Sequence, residues 1–128
     1  MDSFKTFEEL KCWQSCNELK EYLRKEVLPK FPGFEKYDLY MQVLRASRSA
    51  TANIAEGWGR YHYKENIKFL LNARGSVAEI LDHALEAHQC NYIDQDAVKE
   101  IRKRTTECIK LINGFIRFLR TKNESQNT

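Results

Sequence analysis

Apolar residues recur at three- and four-residue steps through four stretches of the chain, which is the spacing of a helical face and not of a strand. In the first stretch they are Leu10, Trp13, Cys16, Leu19 or Lys20, Leu23 and Val27. Thr6-Phe7-Glu8-Glu9 has the form of a capping box, and Pro29 and Pro32 stop the pattern, which predicts a helix over 6–28. The Phe31-Pro32-Gly33-Phe34 connector offers aromatics to plug one end of a core. A second helix is expected over 38–57, capped by Asp38, with Leu39, Val43, Ala46, Ala50 and Asn53 or Ile54 leading to Gly57. Its face is small enough for a neighbouring backbone to come close. Gly57 and Gly59 end it.

A third helix is predicted over 63–90, with Ile67, Leu70, Arg74, Val77, Leu81, Ala84 and His88 in heptad register. Asn91-Tyr92-Ile93-Asp94 is then a turn, and Asp94 the next N-cap. The fourth helix, over 95–121, runs through Val98, Ile101, Thr105, Cys108, Ile112, Phe115 and Leu119. Residues 122–128 have nothing to bury and read as a mobile tail. Short links between long helices make neighbours antiparallel, so the expected fold is all-α, an up-down-up-down antiparallel four-helix bundle forming one domain over 1–128.

The apolar arcs are wider than one such core needs. Ile109, Ile116, Leu111 and Phe118 flank the fourth seam, and Phe69, Ala73, Ile80 and Leu71 flank the third. Surplus of this kind marks an interface, which predicts a homo-oligomer packed through the third or fourth helix.

Composition agrees: 128 residues with 42% hydrophobic, 30% charged, five Gly and two Pro suit a helical globular chain. No apolar run is long enough to span a bilayer, and Met1–Lys5 opens no secretory h-region, so a cytoplasmic protein with no membrane partner is expected. Cys12, Cys16, Cys90 and Cys108 then read as reduced thiols. Cys12 and Cys16 put two sulfurs on one helix face, and only His83, His88 and Cys90 offer completion of a metal site; packing is the default reading, so no metal and no cofactor are expected.

The net charge of +3 becomes informative only through its distribution. Between Gln95 and Lys122 eight basic residues face three acidic ones, a local +5. Lys99, Lys103, Lys110, Arg117 and Arg120 step along one stripe with Thr106 and Asn113, and Arg102 lies beside it. Asp96, Glu100 and Glu107 gather at one edge. A row of cations along a helix suits phosphate-backbone contact, and an ordinary solvated face is the competing reading. Trp58-Gly59-Arg60-Tyr61-His62-Tyr63-Lys64 interleaves basic and aromatic residues, a pattern able to stack bases or to cap the bundle.

Catalytic signatures are absent: there is no phosphate loop, no G-x-S-x-G and no H-E-x-x-H, and Glu79 and His83 miss the di-iron Glu-x-x-His spacing. Asn53 and Glu56, with Arg45 and Arg48 on the same helix and Arg74 on the next, read as a structural polar network.

Gln42-Val43-Leu44-Arg45-Ala46-Ser47-Arg48-Ser49, Asn53-Ile54-Ala55-Glu56-Gly57, Gly59-Arg60 and Ala73-Arg74-Gly75-Ser76-Val77-Ala78-Glu79 resemble the bacterial four-helix bundle family of 23S rRNA intervening-sequence proteins. Phe7-Glu8-Glu9-Leu10, Trp13-Gln14, Phe31-Pro32 and Tyr37-Asp38-Leu39 extend the likeness over nearly the whole chain. The resemblance implies a pentameric, barrel-like ring with a basic surface. Some members are accessory variability determinants of diversity-generating retroelements, which bind a reverse transcriptase and nucleic acid. It carries no catalytic motif, and it makes Arg45, Arg48, Asn53, Glu56, Gly57 and Arg60 structural or interface-forming. The resulting expectation is a non-catalytic homopentamer binding RNA or DNA through Lys99, Arg102, Lys103, Lys110, Arg117, Arg120 and Arg60. Its alternative is a scaffold that docks a reverse transcriptase without touching nucleic acid.

Overall fold

A computed structural model describes residues 5–127. Met1–Phe4, most of the segment read for a leader, and Thr128, the end of the expected mobile tail, lie outside them. Four helices, α1 (Lys11–Tyr22), α2 (Leu39–Trp58), α3 (Tyr63–Gln89) and α4 (Gln95–Asn127), close a square in which α1 and α3 each pack against α2 and α4. This is the expected all-α, up-down-up-down four-helix bundle.

Each of the four seams is crossed by a side-chain hydrogen bond consistent with the antiparallel order. Lys20 Nζ donates to Thr51 Oγ1 between α1 and α2 (3.1 Å), and Ser49 Oγ meets Ser76 Oγ between α2 and α3 (2.9 Å). Arg74 Nη1 donates to Asn113 Oδ1 between α3 and α4 (2.7 Å), and Ser15 Oγ meets Cys108 Sγ between α4 and α1 (3.3 Å). Each contributes about 1 kcal/mol; the apolar core they surround supplies more, at about 1.5–3 kcal/mol per fully buried Leu or Ile.

The first helical segment is more broken than its periodicity predicts. Thr6 Oγ1 accepts from Glu8 N (2.9 Å), and the Glu9 carboxylate accepts from Lys5 N (3.2 Å). These bonds cap only a 3-10 turn, Phe7–Glu9, because Leu10 is extended and α1 starts after it. At the other end Leu23–Val27 widens into a π-turn, with Leu28 N bonded to Leu23 O, and a 3-10 turn covers Leu28–Lys30. Pro29 has no N–H to continue the α ladder. Phe31 plugs the end of the core as expected and touches Tyr40 and Tyr92, whereas Phe34 stays largely exposed.

Asp38 does not cap α2 with its side chain. Glu35 Oε1 accepts from Leu39 N (3.2 Å), leaving Asp38 Oδ1 to accept from Gln42 Nε2 (2.7 Å). α3 ends in a Schellman turn: Asn91 has φ 63°, its N–H bonds His88 O, and Tyr92 N bonds Ala87 O. Asp94 caps α4 as read, accepting from Ala97 N (2.9 Å). α4 then continues past the expected stop at 121 to Asn127, so the described part of the supposed tail is helical.

On α3, Leu70, Val77 and Ala84 are buried as expected, and at the other four seam positions the buried residue is the one before that expected. Asn66, Leu70, Ala73, Val77, Ile80, Ala84 and Ala87 face the core, while Ile67, Arg74 and Leu81 lie at its edge and His88 outside. The side chains turned inward are smaller, which lets α2 and α3 approach closely. The inward set, with burial of Ile116 on α4, also takes up part of the apolar surplus.

Candidate nucleic-acid interface

Ile101, Thr105, Cys108, Ile112, Ile116 and Leu119 turn one side of α4 into the bundle. The helical pitch therefore places Lys99, Lys103, Lys110 and Arg117 on the opposite side, and all four are exposed. Arg102 and Arg120 are exposed on the flank toward α3. From Lys99 to Arg120 the row runs about 32 Å at 1.5 Å per residue. None of these six cations forms an ion pair with a described carboxylate.

Their neighbours explain the imbalance. Arg104 is the cation that meets the acidic edge, with Nε 3.2 Å from Glu100 Oε1 and its guanidinium 4.5 Å from the Tyr22 ring centroid. Asn113, in the middle of the row, is held by Arg74, so the row is pinned to α3 without spending one of its own charges.

The remaining sequence-predicted residues are dispersed. Arg60 is engaged: Nη2 lies 2.6 Å from Glu56 Oε1, Nη1 3.8 Å from Glu65 Oε2, and the guanidinium 4.9 Å from the Phe69 ring centroid. Glu56 thus points outward to Arg60 and not to Asn53. Asn53 Nδ2 donates to the Ser49 carbonyl (2.9 Å) and hydroxyl (3.0 Å), which joins it to Ser76. Arg45 and Arg48 lie exposed on the outer face of α2 around a shallow depression with Met41 and Ala52. The expected network of Arg45, Arg48, Asn53 and Glu56 is therefore two separate contacts and two solvent-facing arginines.

The thiols belong to the packing. Cys12, Cys16 and Cys108 are buried between α1 and α4, and Cys90 is exposed at the end of α3, with Sγ 3.6 Å from Glu86 Oε1. Burial pushes the Cys12 thiol up to about 12, and a hydrogen bond to Cys108 with burial raises Cys16 as well. Neither favours the thiolate a metal requires. His83 instead meets Glu79 (3.1 Å), and no described group of three or more His, Cys, Asp or Glu is arranged to hold a metal.

Sequence periodicity missed a groove beside the row. Leu10, Leu111, Gly114, Phe115 and Phe118 line a cleft of about 470 Å³ whose rim carries Lys11, Lys110 and Arg117. The apolar flank of α4 was visible as a pattern; the late start of α1 that uncovers it was not.

The family model for the 23S rRNA-intervening sequence protein matches residues 8–114. The chain belongs to this family. The match takes in α1, α2, α3 and α4 as far as Gly114, so four cations of the row fall within the family's matched span, while Arg117 and Arg120 extend the row beyond it. No curated protein matches the chain. In this family member no described helix is long and apolar enough to cross a membrane.

Proposed function

We propose that this 23S rRNA intervening-sequence protein is a non-catalytic, cytoplasmic protein that holds the phosphate backbone of RNA or DNA along α4. The observation that carries the reading is the row of six exposed cations, about 32 Å long, without carboxylate partners among the described residues. An isolated positive field of this kind gains by replacing condensed counterions on a polyanion. The family name, with its reference to ribosomal RNA, supports RNA as the first ligand to test.

The protein works as a homo-oligomer in this reading, the pentamer that the family resemblance implies. Leu71, 37% exposed, stands beside the outward Gly75 and Ala78 of α3 and offers a surface for a second copy that leaves the α4 row free. A ring would repeat the row around its axis and multiply a modest monomer field.

Fluorescence anisotropy with labelled RNA tests the function. Binding should weaken steeply with salt and disappear in Lys103→Glu/Lys110→Glu while the helical circular dichroism persists. Absence of binding at low ionic strength, or affinity indifferent to salt, overturns it. If the row instead receives an acidic protein such as a reverse transcriptase, the complex survives nuclease treatment and no RNA affinity is measured.

A further inference from the structure

α1 and α4 run antiparallel, and Ser15 faces Cys108 across their seam. α1 begins only four residues before Ser15, so α4 beyond about Ile112 outruns its neighbour. On that side of α4, Glu9 and the extended Leu10 stand across from it in place of α1. The groove of about 470 Å³ opens at this place.

Its walls are flat and apolar. The Phe115 and Phe118 rings are stacked, with centroids 5.9 Å apart and planes at 13°, and Phe118 is 39% exposed. At Gly114 the wall is bare backbone, because a β-carbon there would meet only Arg117 Nη2, at 3.7 Å. Its rim is basic: Lys110 and Arg117 belong to the phosphate row, Lys11 stands on the α1 side, and Lys122 Nζ lies 5.6 Å from the Phe118 ring centroid. Glu9 is the one acid in the lining.

A slot with aromatic and aliphatic walls, opening directly onto cations, matches a planar heterocycle attached to a phosphate. We propose that this groove receives an unpaired nucleobase, so that the protein binds single-stranded nucleic acid in preference to duplex. The inference rests on the phosphate-binding reading of α4 and adds what that row cannot supply, since cations alone do not distinguish strand number. In a duplex the bases are stacked inside and must be extruded at a cost before one can enter. In a single strand a base is already free to leave its neighbours for an aromatic face. Lys122, which is exposed and lies near the Phe118 ring, adds a further cation within reach of the phosphate that carries the base.

The test compares a labelled single-stranded RNA with a blunt-ended two-strand RNA duplex of equal phosphate number, by anisotropy on the full chain at one salt concentration. The single strand should bind roughly tenfold tighter, the discrimination expected of one stacked base. Gly114→Leu puts a side chain into the groove, keeps every cation and replaces a helix-interior glycine with a strong helix former, and circular dichroism and urea unfolding check that the fold persists. It should erase the single-strand preference while duplex affinity and its salt dependence stay unchanged, and Phe118→Ala should reduce the preference in the same direction. Equal affinity of the natural protein for both forms, or a preference that survives Gly114→Leu, overturns the inference and leaves the phosphate row standing. Failure of both nucleic acids to bind sinks the row reading together with it. A change of particle mass in light scattering on Gly114→Leu assigns the groove to a contact between copies and also overturns the proposal.

Discussion

A β-carbon on Gly57 would stand 2.6 Å from Oδ1 of Asn66 and 2.9 Å from Cβ of Phe69. Gly57, near the end of α2, therefore marks where α3 comes too close for any side chain, and Asn66 is 1% exposed beneath it. Gly57→Ala should destabilise the fold by about 1–3 kcal/mol, the usual cost of overpacking a tight contact. Urea unfolding should show a lower midpoint at an unchanged slope. Gly75→Ala is the control: nothing lies within 4 Å of a β-carbon there, and the substitution should stabilise by up to about 1 kcal/mol.

The six cations of the row set a measurable electrostatic slope. Neutralising any one of Lys103, Lys110 or Arg117 should lower the dependence of log K on log salt by about one. Variants that weaken affinity without changing that slope would place the phosphate contacts elsewhere.

Arg60 is already paired with Glu56 and Glu65. Arg60→Ala should leave RNA affinity and its salt slope near those of the natural protein, and should cost less than about 1 kcal/mol of stability, because the pairs are exposed. A drop in affinity comparable to that of Lys110→Glu would return Arg60 to the nucleic-acid interface.

Cys12 links stability to alkaline pH. Burial lifts its thiol from 9.0 in the exposed state to about 12 in the folded chain. The unfolded chain loses this proton first, so the contribution to stability is complete below pH 9 and declines between pH 9 and about 12. The decline approaches about 1.4 kcal/mol per pH unit from this group. Thermal melts from pH 8 to 11 should fall with pH, and the fall should be shallower in Cys12→Ala whatever that variant's starting stability.

Thiol accessibility provides an independent check of the α1–α4 seam. Cys90 is exposed and Cys12, Cys16 and Cys108 are buried, so a thiol reagent should modify Cys90 quickly in the native protein and the other three only on unfolding. Rapid native modification of Cys108 would contradict the packing of α1 on α4.

Much of this molecule was legible in the chain because helical spacing is local. Asp94 was readable as a cap from its place before an apolar run, and it does cap α4. The α4 row was equally readable: lysines and arginines three and four apart share a face on any helix, whatever packs behind it. Thr6 and Glu9 show the limit. Their side chains do take backbone N–H groups, but those of Glu8 and Lys5 and not the reciprocal Glu9 and Thr6 pair of a capping box, and they close a 3-10 turn, because the extended Leu10 intervenes before α1.

Which way each helix faces was a different matter. On α3, Ile67, Arg74 and Leu81 make as regular a seam in the sequence as Asn66, Ala73 and Ile80. The close approach of Gly57 on α2 accompanies the second set at Asn66, and no pattern within α3 contains that contact. The pairing of Arg74, at the edge of α3, with Asn113 across the seam comes from the same choice.

The sequence by itself determined four helices, their order and a line of positive charge on the last one, all properties of spacing along the chain. The tertiary structure alone decided that α1 begins late enough to uncover Leu111, Gly114 and Phe118 beside that line. The offset between two helices is set where their surfaces meet, by residues far apart in sequence, and no pattern within either helix contains it.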